Sequence, residues 1–431
     1  MVYRPGMRIL VVGGGGREHA LVWKIGQSPL AGKVFCAPGN PGTARLAENV
    51  AIAADEVDAL VRWAVENQID FVVVGPEAPL VLGLADRLAE EGIAVFGPSA
   101  AAARLEGSKA FAKEVMAAAG IPTASYGAFD SLAPALAHAR AAGGRVVVKA
   151  DGLAAGKGVV VCGDLPEAEA ALRSILVDRV HGSAGARVIV EERLSGPEAS
   201  VIALVDGERV RVLPPAQDHK RIFDGDRGPN TGGMGAFSPT PTVDEALLAD
   251  VERRVLLPTV REMARRGAPF RGALYAGLML TPDGPKVLEF NARFGDPETQ
   301  PILMRLRGDV VPALLAAARG DLSGIALDVD PRAAVGVVMA ADGYPGHVTV
   351  GDAISGSDGP FPPGVQVFLA GTRLGPDGRV VTSGGRVLTV CALGADRADA
   401  ATRAYDALAR VHFRGAQFRR DIGRAGPGEG A

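Results

Sequence analysis

The chain has 431 residues, 48% of them hydrophobic and 22% charged, with a formal net charge of −3. That length and balance suit a globular protein of several domains and give no reason to expect nucleic acid or an anionic membrane as partner. Cys36, Cys162 and Cys391 are widely separated, which argues against a disulfide framework or zinc site and fits a reducing cytoplasm; no apolar run approaches a membrane span.

Residues 1–6 read as an extension, with Met7 an alternative start. Arg8–Val12 predicts a buried parallel strand, Gly13–Gly16 a loop, and Arg17–Ile25 a helix. Free backbone N–H groups at such a helix start suit an anion. A dinucleotide fingerprint would need glycine where Glu18 stands, and an acid ending the next strand, where Lys33–Cys36 runs into Ala-Pro-Gly-Asn. Dinucleotide binding is therefore disfavoured, and either a smaller phosphorylated ligand or a bare strand–helix turn remains. Asp70–Val74 predicts another strand. Glu77 follows its carboxyl end, where ligands of open parallel sheets sit, and reads equally as a sugar-hydroxyl acceptor or a plain loop carboxylate. Ile93–Phe96 closes this unit.

Glu106-Gly-Ser-Lys109 begins a helix with Ser108 as N-cap, ended by Gly120 and Pro122. Lys109 in the first turn opposes the helix dipole unless a phosphate lies nearby, and a solvated lysine competes with that reading. Arg145–Cys162 predicts two strands around a glycine- and alanine-rich loop carrying Lys157, with Lys149 at its entry. It is not a P-loop: Gly152 to Gly156 is one residue short, Gly158 replaces Ser/Thr, and a strand follows. A flexible small-residue hairpin suits a lid over nucleotide phosphates.

Arg187–Leu194 predicts a strand ending in acids, followed by Ser-Gly-Pro-Glu198; a segment that crosses from lid to main body can offer backbone groups to an adenine and a carboxylate to a ribose. Gln217–Arg221 and Gly228–Gly235 read as one long polar loop, a length that is usually functional. His219 by itself is weak evidence for catalysis. In Lys286–Pro301, alternation puts Glu289, Asn291 and Arg293 on one side and Phe290 on the other. A carboxylate, an amide oxygen and a guanidinium in a row suit a hard cation held against phosphates, although a solvated edge strand shows the same alternation. Gly295-Asp-Pro-Glu298 adds a turn with further carboxylates. Val335–Met339, Gln366–Leu369 and Arg386–Val390 predict strands and Asp396–Arg410 a helix, a small α+β unit without clustered chemistry. Gly423–Ala431 reads as a disordered tail.

Taken together, GGGGREHAL, GPEAPLVLG, LEGSKAF, VKADGLAAGKGVVV, EERLSGPEAS, QDHKR, GPNTGGMGAFSP, EFNARFGDPETQP and TSGGRVL resemble the phosphoribosylamine–glycine ligase family of ATP-grasp enzymes in purine biosynthesis, from about Met7 to Gly423. The resemblance implies an α/β and α+β multidomain fold. Its parts are an N-terminal parallel α/β (Rossmann-like, pre-ATP-grasp) domain at 1–106, a two-lobed ATP-grasp core at 107–328 with a mobile lid at about 123–191, a C-terminal α+β domain at 329–424, and a tail at 425–431. It implies that glycine, ATP and 5-phosphoribosylamine give glycinamide ribonucleotide, ADP and phosphate through glycyl phosphate.

Carried over by motif, Lys109, Lys149, Gly156, Lys157 and Gly158 hold ATP phosphates, Glu191, Glu192 and Leu194 frame the adenine, and Glu198 takes the ribose. Glu289 and Asn291 bind Mg²⁺ or Mn²⁺. Arg293 faces the activated carboxylate, with Asp218 and Lys220 as further catalytic residues. The turn of Gly15, Gly16, Arg17 and Glu18, with Glu77, holds phosphoribosylamine, and Asn230, Gly232 and Asp296 are further substrate-binding residues. The implied enzyme is a cytoplasmic monomer making a transient contact with the preceding amidophosphoribosyltransferase. Two departures stand out: Tyr275–Leu280 lacks the further acidic metal ligand that many members of the wider superfamily carry on the strand before EFN, as is usual in this family, and His181 stands where the family often has Phe. The rival readings are another ATP-grasp carboxylate–amine ligase, and a nucleotide sensor on an inactive ligase scaffold.

Overall fold

The computed structural model describes residues 5–154 and 158–424. Gly156, Lys157, most of the expected N-terminal extension and the expected tail at 425–431 lie outside the described residues. No described helix is long and apolar enough to cross a membrane.

The first unit is a parallel sheet of β1 (Met7–Gly13), β2 (Ala31–Pro38), β3 (Glu48–Asn49), β4 (Phe71–Val74) and β5 (Ala94–Phe96), in the order β3-β2-β1-β4-β5. Its continuous Val/Ile/Leu runs are buried on both faces, as helices α1 (Gly16–Ile25), α2 (Val57–Glu66), α3 (Glu77–Val81), α4 (Leu84–Glu90) and α5 (Ala100–Gly107) cover it. Strand order reverses beside β1, so the β1–α1 and β4–α3 turns flank the crevice where such sheets bind ligands. Glu106 falls in the last turn of α5, and the helix expected from that segment is α6 (Lys109–Ala118), capped by the Ser108 hydroxyl, which accepts the Phe111 N–H.

A four-stranded lid follows: β6 (Tyr126–Phe129), α7 (Leu132–Ala141), β7 (Val146–Ala150), β8 (Val159–Val161), α8 (Leu165–Leu176) and β9 (Val188–Glu192), with strand order β6-β9-β7-β8. Its apolar residues, among them Leu136, Val148, Leu172, Ile175 and Val190, form a core of their own. The body is built differently. There β10 (Glu198–Asp206) and β11 (Val210–Val212) pack into the same two cores as the N-terminal sheet.

The expected long loop contains short strands: β12 (Gln217–Asp218), a hairpin of β13 (Arg221–Phe223) and β14 (Arg227–Asn230), then β15 (Gly235–Ser238). Helices α9 (Glu245–Val251) and α10 (Leu257–Arg265) lead to β16 (Arg271–Thr281) and β17 (Gly284–Asn291), which complete the antiparallel sheet β11-β10-β16-β17. Next come α11 (Thr299–Arg305), β18 (Leu306–Arg307), α12 (Val311–Arg319), β19 (Asp328–Val329) and β20 (Ala333–Ala340). The chain ends with β21 (Val365–Leu369), β22 (Thr372–Leu374), β23 (Val380–Thr382), β24 (Arg386–Gly394) and α13 (Arg397–Leu408), with Asp396 as N-cap. The last sheet runs β12-β15-β20-β24-β21, so two strands from the middle of the chain edge the C-terminal sheet.

One irregularity sets the site. Leu278 pairs with Val287 but Gly277 pairs with Glu289, which leaves Leu288 as an extra residue in β17. A regular strand would put Val287 and Glu289 on one face. The bulge changes phase between them, so Val287 and Phe290 both enter the core while Glu289 and Asn291 stay on the other side.

Candidate active site

Four cations converge on Glu289. Against burial, which alone would raise it, Lys220, Lys149, Lys109 and Arg293 hold the Glu289 carboxyl below its ordinary value. They come from separate elements: Lys109 starts α6, Lys149 lies in β7 of the lid, Lys220 follows β12, and Arg293 lies just past β17. Lys149 Nζ donates to Leu288 O, the carbonyl of the bulge residue, at 2.9 Å, and pairs with Glu191 Oε2 at 2.9 Å. Lys109 Nζ donates to Gly152 O at 3.3 Å, and burial with Lys149 nearby lowers its pKa. The two elements are tied further by Asp151, whose Oδ1 accepts from the Ala110 N–H at 2.8 Å and the Ser108 hydroxyl at 3.0 Å. A carboxylate from the lid thus caps α6 beside Lys109.

On the opposite side, Lys220 Nζ lies 3.1 Å from Glu198 Oε2 and 4.0 Å from Glu289 Oε1. Burial, with Glu298, Glu198 and Glu289 adding to it, pushes Asp218 up to about 7 against the pull of Lys220. Lys220 is raised in turn, despite burial, by Asp218 and Glu198. The Tyr275 hydroxyl shares a 2.9 Å hydrogen bond with Ser200 Oγ, which donates to Glu298 Oε1 at 3.0 Å.

At the N-terminal sheet, Glu18 folds back over the β1–α1 turn. Its Oε2 accepts the Gly15 N–H at 2.7 Å and its Oε1 accepts from Arg17 Nε at 2.6 Å. The glycines around it leave that space: a Cβ on Gly13, where φ is +126°, would stand 2.5 Å from Glu18 Cγ, and one on Gly75 would stand 2.0 Å from Glu18 Oε1. Arg17 Nη1 donates to Phe294 O at 3.1 Å, which joins this turn to the β17 strand end. Glu77, the first residue of α3, accepts from Arg293 Nε at 3.3 Å, and against burial Arg293 and Arg17 lower its pKa.

The C-terminal sheet also reaches the site. Arg386 Nη1 donates to Gly232 O at 2.6 Å and Asp296 O at 2.7 Å, and Nη2 donates to Asp296 Oδ2 at 3.1 Å. Arg386, Arg17 and the Gln300 amide lower the Asp296 pKa against burial. Gln300 is fully buried, and its Oε1 has no hydrogen-bond partner. Sequence reasoning assigned roles to none of Arg386, Gln300, Glu106 and Lys113. Arg386 and Gln300 lie within the motifs TSGGRVL and GDPETQP, but neither motif says what faces what.

Other expected residues are placed less directly. Glu191 turns its side chain into the lid base, and the more exposed Glu192 accepts from the Ser125 hydroxyl at 3.2 Å. Leu194 is half-buried beyond β9, Gly158 accepts the Ala150 N–H through its carbonyl, and Asn230 pairs with Arg221 in the hairpin.

Known proteins match this arrangement over nearly all of its length. The N domain of phosphoribosylglycinamide synthetase matches residues 7–106, its ATP-grasp (A) domain residues 107–299, and its C domain residues 334–425. The chain belongs to the phosphoribosylglycinamide synthetase family. A phosphoribosylamine–glycine ligase from Allochromatium vinosum is 56% identical over 420 residues, covering 97% of this chain and 98% of its own. The crystal structure of a phosphoribosylamine–glycine ligase from Thermotoga maritima superposes with a TM-score of 0.85 at 33% identity, covering 96% of this chain and 100% of that one. The biotin carboxylase domain of a Hydrogenobacter thermophilus 2-oxoglutarate carboxylase, in complex with MgADP, shares the fold with a TM-score of 0.73 at 18% identity, over 95% of this chain and 91% of that one. In a phosphoribosylglycinamide synthetase the parallel sheet, ATP-grasp body and C-terminal unit are family features, and here all three meet at Glu289, Arg293 and Asp296.

The donors also suit a metal of the expected kind. Among the described residues no group of three or more His, Cys, Asp or Glu side chains gathers as a metal site. Glu289 and Asn291 instead offer one carboxylate and one amide oxygen, the sparse oxygen set on which a divalent cation is held jointly with substrate phosphates.

Proposed function

We propose that this chain ligates glycine to 5-phosphoribosylamine with ATP, giving glycinamide ribonucleotide, ADP and phosphate, in purine biosynthesis. The observation that carries the mechanism is the convergence of Lys109, Lys149, Lys220 and Arg293 on Glu289. Transfer of a phosphoryl group to a carboxylate brings several negative charges together and needs positioning and charge neutralisation more than a nucleophilic side chain. Four cations from four elements supply both.

Lys109 and Lys149 hold the ATP phosphates, together with the lid-loop segment at Gly156, Lys157 and Gly158. Glu191 to Leu194 frame the adenine through the backbone, and Glu198 takes the ribose. Glu289 and Asn291 would hold Mg²⁺ or Mn²⁺, which when bound supplies charge neutralisation at the phosphates. Arg293 orients the glycine carboxylate, whose oxygen attacks the γ-phosphorus as the bond to ADP breaks. The amine nitrogen then attacks the acyl carbon, phosphate leaves with the glycine-derived oxygen, and the amine gives up its proton. Asp218 and Lys220 line this path. The turn at Gly15–Glu18, with Glu77, holds the phosphoribosylamine, and Asn230, Gly232 and Asp296 are further substrate-binding residues. Packed around a separate core, the lid can close over the site and keep water from the acyl phosphate.

The test is ADP release with Mg-ATP, phosphoribosylamine generated in situ from ribose 5-phosphate and ammonia, and each substrate omitted in turn. Release that requires both glycine and the amine supports the reading. Release with another amino acid, or with neither substrate, overturns the substrate assignment. ATP binding without turnover would favour the nucleotide sensor.

A further inference from the structure

Arg293 is met by two carboxylates that differ in kind. Glu77 touches Nε through one oxygen at 3.3 Å, and its side chain is 29% exposed. Glu106 touches Nη2 at 2.9 Å, and its side chain is 7% exposed. The other oxygen of Glu106 accepts the Ala292 N–H at 2.7 Å. One carboxylate therefore fixes both the guanidinium and the backbone immediately before it. Glu106 cannot withdraw to water, because its neighbours Ala102, Ala103 and Leu105 on α5 are buried in the core shared with β17.

We propose that Glu106 is the positioning residue for Arg293, aiming its guanidinium at the carboxylate substrate, while Glu77 is the exchangeable partner. The inference rests on the ligase reading above. A third carboxylate entering beside two others meets like-charge repulsion unless one of them yields. Glu77, with its longer contact and its access to solvent, can turn away toward the sugar of the second substrate. Glu106 keeps its place because turning away would strand the Ala292 N–H and a buried charge. The remaining contacts of Arg293, from Nη1 to Phe294 O at 3.2 Å and Nη2 to Asn291 Oδ1 at 3.3 Å, are longer and do not fix the plane of the fork alone. A purely structural pair would explain the burial of Glu106, but not why its partner is the cation the reaction needs.

The experiment compares the wild-type chain with Glu106→Gln, which keeps an acceptor for Ala292 and loses the charge, and with Glu106→Asp, which keeps the charge and shortens the reach. Steady-state ADP release is measured against ATP, glycine and phosphoribosylamine, alongside ATP-binding stoichiometry and Tm. Glu106→Gln should lower kcat per ATP-binding site by roughly 10- to 100-fold, in the range of a mispositioned catalytic group, with KM for ATP within about two-fold of wild type. Glu106→Asp should recover part of the loss. A kcat per ATP-binding site within about two-fold of wild type overturns the proposal, whether or not Tm falls, because a structural role predicts fewer sites of normal activity. If Glu106→Gln does not fold, Glu106→Ala, which also removes the carboxylate from Arg293, decides by the same criterion. Absence of glycine- and amine-dependent turnover in the wild-type chain would instead contradict the ligase reading itself.

Discussion

Lys149 and Glu191 form a buried ion pair across neighbouring strands of the lid, Nζ to Oε2 at 2.9 Å. Lys113, from the body, reaches the other oxygen of Glu191 at 3.2 Å and donates to Thr123 Oγ1 at 2.7 Å, where the chain enters the lid. One carboxylate therefore serves a lysine of the lid sheet and a lysine of α6 beside the point where the chain enters the lid. Burial pushes Lys113 down to about 8 against the pull of Glu191. Glu191→Gln leaves two buried lysines facing a neutral amide, and breaking a buried pair in this way costs about 3–5 kcal/mol. The expected outcome is lost amide-hydrogen protection in β7 and β9 together with weaker ATP binding. Unchanged exchange in those strands would count against the shared-carboxylate account.

Glu289→Ala should abolish turnover, because it removes the carboxylate around which the four cations are arranged and one of two candidate metal donors. The check is ADP release across a Mg²⁺ titration. Undiminished activity at saturating Mg²⁺ would sink the metal assignment.

Glu77→Ala should raise KM for phosphoribosylamine more than KM for ATP, since Glu77 lies at the crevice of the N-terminal sheet. Equal effects on both substrates would move Glu77 out of the sugar site.

His19 gives a pH signature for the joint between the first and last units. Its Nδ1 accepts the Leu369 N–H at 2.8 Å, and burial lowers its pKa from 6.5 to about 4. Between those values the unfolded chain carries the extra proton, so His19 makes no stability penalty above pH 6.5 and a growing one as pH falls toward 4. The full penalty is about 3 kcal/mol. His19→Gln, which keeps an acceptor for Leu369, should flatten the slope of unfolding free energy against pH in that window. An unchanged slope in denaturant titrations would refute the assignment.

Local signals made much of this protein legible. Alternation in β17 separates Glu289 and Asn291 from Phe290, the two runs around the glycine- and alanine-rich loop pair as the strands expected of them, and Ser108 and Asp396 cap the helices expected of them. What escaped the sequence is what depends on distant partners. The bulge at Leu288 is set by pairing with Gly277 and Leu278, which no periodicity within β17 reveals. The segment from Gln217 to Gly235 reads as a loop because polar residues and glycine fill it. Its flanking strands form because β20 offers an open edge to β15, and β15 in turn one to β12. Arg386 lies in a strand expected to carry no clustered chemistry, yet it reaches Asp296 from another sheet. Glu106 reads as a helix-start acid until Arg293 and Ala292 are brought against it.

The most direct test of the central claim follows one oxygen atom. Glycine labelled with ¹⁸O in its carboxylate is turned over with Mg-ATP and phosphoribosylamine, and the inorganic phosphate is analysed by mass. A glycine carboxylate that attacks the γ-phosphate among these cations must pass one labelled oxygen into each phosphate released. Unlabelled phosphate, with product still formed, would show that the carboxylate is never phosphorylated and would contradict the account.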